Sequence, residues 1–175
     1  DILPALYGRT SNNTPFNDFR LPFQATIVPH CDFLHIGSTR ELLRIATTHN
    51  STAPRAAQLN SIIAAPLAQH PSSLLESSRI THPSRLGNHS LLVGFPGGYP
   101  IRVPHHIGIA FLPIGRDQWT AIAFGANDDF KTPFQRGGTF LNASPPPQVM
   151  GTHHSLTTFW DLKCWSIGSL TSVLA

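Results

Sequence analysis

Apolar and polar side chains alternate most clearly near the start of the chain. Phe19, Leu21, Phe23, Ala25 and Ile27 interleave with Arg20, Pro22, Gln24 and Thr26, and a two-residue period puts the first set on one buried strand face. Pro22 offers no amide to a ladder, which places this strand at a sheet edge or a bulge. Residues 107–112 and 119–124 give two further strands. Residues 113–118 join them, with Gly115 and Asp117 supplying hairpin chemistry. A short apolar strand is expected over 91–95 and a last one over 156–167, where Trp160, Leu162 and Cys164 share a face opposite Phe159, Asp161, Lys163 and Trp165. The alternation assigns Phe19, Phe23, Ile109, Phe111, Ile122, Trp160 and Leu162 to the core.

Between these β segments the period changes. Ser38-Thr39-Arg40-Glu41 has capping-box spacing, followed by Leu42, Leu43, Ile45 and Ala46. A second helix is expected from Pro54, a good first-turn residue, to Ala65, with Leu59, Ile62 and Ile63 facing inward. Ser73-Leu74-Leu75-Glu76 repeats the capping-box spacing and predicts one more helical turn. Residues 94–100 and 126–138, rich in Gly, Pro, Asn and Asp, read as loops. Pro145-Pro146-Pro147 reads as a stiff extended connector. No internal repeat and no domain boundary is visible along the chain. The expected fold is therefore mainly β: a single domain spanning 1–175, an antiparallel β-sandwich or barrel-like domain with a small helical insertion around 38–80.

Composition narrows the class. The chain has 175 residues, 41% of them hydrophobic, enough to fill one core. Only 12% are charged, about half the usual share, and Ser, Thr, Pro, Gly and His take their place. The net charge of +3 comes from arginines scattered singly between Arg9 and Arg136. Nucleic-acid binders normally carry a stripe of cations, so no nucleic-acid partner is expected. No apolar run approaches the roughly 18 residues of a membrane helix, and no membrane insertion is expected. Beginning at Asp1 without Met, the chain reads as a processed product or a piece of something longer. Sequons at Asn12, Asn50, Asn88 and Asn142 fall in expected loops.

Candidate chemistry is sparse. Cys31 and Cys164 would close a loop of about 130 residues if bridged, worth at most about 5 kcal/mol; two buried thiols are the alternative. A small cysteine hydrolase would use Cys31 with His153 or His154, since His30, Cys31 and Asp32 diverge on an extended chain. Ten histidines include His105-His106 and His153-His154, but a strand sends neighbours to opposite faces, and no metal or cofactor is expected. The loops leading into residue 107 and out of residue 124 lie at one end of the hairpin. They gather Tyr99, His105, Asp128, Asp129 and Arg136, a mixture of aromatic surface, acceptors and a bidentate donor.

Two functional readings follow. The first is a non-catalytic surface attachment module, such as the protruding (spike) domain of a viral capsid protein. It would sit on the virion surface or outside cells, self-associate as a homo-oligomer, and contact a host receptor protein or glycan through those five residues. The second is the cysteine hydrolase. A secreted effector or carrier is a third, weaker reading.

Overall fold

A computed structural model describes residues 36–48, 53–143, 158–159 and 167–174, and every structural statement concerns those residues. The described chain opens with a helix, α1 (Thr39–Thr48). Short strands follow in three columns: β1 (Ala57–Leu59), β2 (Ile62–Ile63), β3 (Leu67–Gln69), then β4 (Leu74–Glu76), β5 (Arg79–Ile80), β6 (Ser84–Leu86), then β7 (Leu91–Val93) and β8 (Arg102–Val103). A long hairpin, β9 (Ile107–Gly115) and β10 (Gln118–Gly125), closes the stack, with β11 (Ile167–Gly168) beside β10 and a short helix α2 (Leu170–Leu174) after it.

The pairing follows a single rule. Ala57 faces Leu74, Leu74 faces Leu91, and Leu91 faces Gly108; Ile62 faces Arg79; Leu67 faces Ser84; Arg85 faces Arg102. Each partner lies one 17-residue step along the chain, and every one of these pairs is parallel. The chain therefore coils into a β-solenoid of about three turns. The sandwich or barrel expected from the sequence is overturned, because among the described strands only the pairs β9–β10 and β10–β11 are antiparallel and all the others are parallel.

Two devices turn the corners. Asn60, Ser77 and Gly94 sit at the same place in successive turns, all with positive φ (45°, 47° and 67°), where Asn and Gly are favoured. Hydroxyls link one turn to the next: Ser78 donates its amide to Ser61 Oγ, Phe95 to Ser78 Oγ, Ile101 to Ser84 Oγ and Gly98 to Thr81 Oγ1. Corner backbone that misses the ladder must bond elsewhere. The chain's Ser and Thr supply those partners, which gives its low charge a structural cause.

Inside the coil, Leu75, Leu92, Ile80, Leu86, Val103, Phe95 and Phe111 form one buried cluster. In the first turn Gln58 stands in register with Leu75, and Gln69 with Leu86. Gln58 Nε2 donates to Gln69 Oε1 (2.9 Å), and Gln69 Nε2 donates to the Ala57 carbonyl (3.0 Å). Among the described residues, paired amides thus stand at the start of the column that Leu75 and Leu86 continue. A second cluster lies on the outer face of the six-stranded sheet, where Leu43 of α1 packs with Leu74, Leu91, Phe124, Phe134 and Phe159.

The helix at 39–48 starts at the Ser38–Glu41 pair: Ser38 Oγ accepts the Glu41 amide, and Glu41 Oε2 accepts the Gly37 amide, one residue before the cap. The helix expected over 54–65 is instead β1 and β2. Leu59, Ile62 and Ile63 match a helical stripe only because two strands and a corner happen to share its spacing, and all three are exposed. Ser73–Glu76 is not a helix start either; Ser73 Oγ donates to the His70 carbonyl and β4 follows. The strand expected over 19–27, Cys31, His153, His154, Trp160, Leu162 and Cys164 lie outside the described residues.

Candidate functional site

The six-stranded sheet's outer face positions a crevice. Where β10 ends, the chain winds around Asp128, whose side chain is buried (4% exposed). Its carboxylate accepts from the Gly125, Leu141 and Asn142 amides and from Thr139 Oγ1, at 2.7–2.9 Å. Four donors occupy the carboxylate's acceptor sites, so Asp128 ties the loop after β10 to residues 139–142. Asp129 next to it is exposed but equally engaged. Oδ1 accepts the Lys131 and Thr132 amides and Oδ2 accepts Thr132 Oγ1. The Thr132 hydroxyl first, then the Lys131 amide, hold its carboxyl below the usual aspartate range.

Across from this loop stands the first turn of α1, fixed by the burial of Leu43. The gap between them is a crevice of about 730 Å³ bordered by Ile36, Arg40, Leu42, Asn127, Asp129 and Lys131. It continues past Arg40, Ala126 and Asn127 into a pocket of about 190 Å³ against His89 and His106. Those two histidines are one solenoid turn apart, and their rings stack with centroids 5.2 Å apart and planes within 8°. Partial burial first, then the positive fields of His106, His70 and Arg40, hold the His89 pKa below its ordinary value. His89 is thus biased toward its neutral form beside the Arg40 guanidinium.

Near this pocket the side chains of His70 and Ser72 also meet, 2.9 Å between Oγ and Nδ1. Nδ1 already accepts the Ser72 amide, while Ser72 Oγ donates to Asn88 Oδ1 and accepts the His89 amide. A nucleophile needs its hydroxyl proton directed to the base. Here the proton goes to Asn88, and the pair fastens one corner to the next. Among the described residues, no three His, Cys, Asp or Glu side chains gather as a metal site.

The five residues singled out from the sequence do not converge on one place. Asp128 and Asp129 border the crevice, and their neighbour His106 borders its inner pocket. His105 Nδ1 accepts the Asn88 amide at a corner. Tyr99 Oη lies 2.9 Å from Thr171 Oγ1 on α2. Arg136 is exposed at the end of a 3-10 turn, Phe134–Arg136. Tyr99, His105 and Arg136 border neither part of the crevice. Sequence reasoning missed Arg40, because nothing local says that α1 packs over the end of β10. The only available signal was the apolar Leu42-Leu43 step behind a capping box. No protein-family model, no curated protein and no solved structure matches this chain.

Proposed function

We propose that this chain is a non-catalytic binding module that attaches to a receptor protein or glycan through the crevice between α1 and residues 126–131. The supporting observation is the crevice itself. Its volume falls within the few hundred to about a thousand Å³ typical of ligand sites. One wall offers apolar surface from Ile36 and Leu42, and the rim offers Arg40, which has no carboxylate partner among the described residues. Both walls are held before any ligand arrives, one by the capped helix and the other by the Asp128 and Asp129 hydrogen bonds. Preorganisation of this kind lowers the entropy lost on binding. The fitting ligand presents an apolar patch to Leu42 and an acceptor to Arg40. The comparison with a capsid spike drew on a sandwich architecture; with a solenoid in its place that comparison keeps only its compositional support, and the attachment role stands without it.

The test is a labelled chain screened on a glycan array and on a panel of cultured cells, followed by Arg40→Glu. For the positive ligand, Arg40→Glu should weaken binding by about tenfold or more, as loss of a desolvated charged contact does, while the melting temperature stays near that of the parent. Undiminished binding by Arg40→Glu would remove the crevice as the site.

A further inference from the structure

The arginines that are scattered singly in the sequence do not stay scattered. The 17-residue step places Arg85 of β6 directly beside Arg102 of β8. Both side chains are exposed on the outer face of the three-stranded sheet β3-β6-β8. Parallel neighbours lie about 4.8 Å apart, and like charges directly opposite each other across strands are destabilising. Among the described residues neither arginine pairs with a carboxylate, and no carboxylate borders the groove they line. Alongside them runs a row of prolines, Pro66, Pro83 and Pro100, also in 17-residue steps. Prolines and arginines together border a groove of about 510 Å³, with Ala68 in the arginine position of the first turn.

We infer that this groove is a second binding site, distinct from the α1 crevice, for a short acidic oligosaccharide that carries sulfate or carboxylate groups on successive sugars. The two guanidinium forks are suited to bidentate pairing with such groups, and a bound anion relieves the repulsion that the register imposes. The proline row gives a flat aliphatic wall for sugar ring C–H faces. It gives no aromatic plane for a base, whereas single-stranded nucleic acid is held by aromatic stacking along an extended basic groove. With Ala68 ending the row, the ladder is two charges long, which matches an oligosaccharide rather than a long polyanion.

The full chain would be titrated, at low and at physiological ionic strength, with a heparin-derived tetrasaccharide, its desulfated counterpart, and an oligothymidine of equal charge. Two double variants are compared: Arg85→Gln with Arg102→Gln, and, as a control of equal charge change, Arg44→Gln with Arg55→Gln. The sulfated tetrasaccharide should bind, and the ladder pair should weaken it by about tenfold, with little change from the control pair or on desulfated sugar. The melting temperature of the ladder pair should be equal to or above that of the parent, since a like-charge contact is removed. No measurable binding of the tetrasaccharide, equal losses from both pairs, or tighter oligothymidine binding through the same two arginines would each overturn the inference.

Discussion

Asp128→Ala should destabilise the chain by about 3–5 kcal/mol, because four donors that converge on one buried carboxylate lose their acceptor together. Three of those donors are backbone amides in segments that cannot turn to solvent without unwinding the loop. Asp128→Asn should fall between the two, since its amide nitrogen replaces one acceptor oxygen with a donor pointed at donors. Denaturant midpoints at constant slope would measure both. An alanine variant within about 1 kcal/mol of the parent would show that water replaces the carboxylate, and that the 126–131 wall of the crevice is not preorganised. Because the same change would also reduce ligand binding, Arg40→Glu and not Asp128→Ala is the clean probe of the crevice.

Gly94→Val is the second large effect expected, about 3–5 kcal/mol from a backbone clash added to left-handed strain. The corner that Gly94 occupies is left-handed in every turn, yet Asn60 and Ser77 occupy it in the turns before. Positive φ alone therefore does not demand glycine. What changes is the neighbour: a Cβ on Gly94 would lie 2.5 Å from the Phe111 carbonyl oxygen, a backbone atom in the middle of β9. β9 is held between β7 and β10 and has no room to retreat. Gly98→Ala is the control, with φ of 89° but nothing within 4 Å of its Cβ. It should cost only the strain of the conformation, about 1–2 kcal/mol. Equal losses for Gly94→Val and Gly98→Ala in thermal melts would show that β9 does not pack against that corner as described.

Elements whose signals are local were legible in the sequence. The Ser38–Glu41 spacing marks the start of α1, and alternation around a Gly-Asp-containing turn marks β9 and β10. The solenoid was not, and the cause is physical. Its strands are two or three residues long, so a two-residue period never runs long enough to stand out. Equivalent positions recur instead at 17 residues: Leu75 and Leu92 or Ser73 and Ser90 inside the coil, and on its surface His89 and His106, with Pro66, Pro83 and Pro100 as the clearest row. Few copies of a degenerate repeat, opened by a turn with Gln58 and Gln69 at core positions, conceal the period. The candidate site divides the same way. Asp128 and Asp129 are readable as a polar loop, but their engagement by nearby donors is not. Arg40 and the Arg85–Arg102 pair become neighbours of anything only through the coil.

Cross-strand contacts between backbone protons in solution test the coil most directly. The solenoid predicts nuclear Overhauser contacts of parallel geometry between residues 17 apart: Leu75 with Leu92, Leu92 with Ile109, and Arg85 with Arg102. Antiparallel contacts among residues 57–103, or helical contacts running through 54–65, would contradict it.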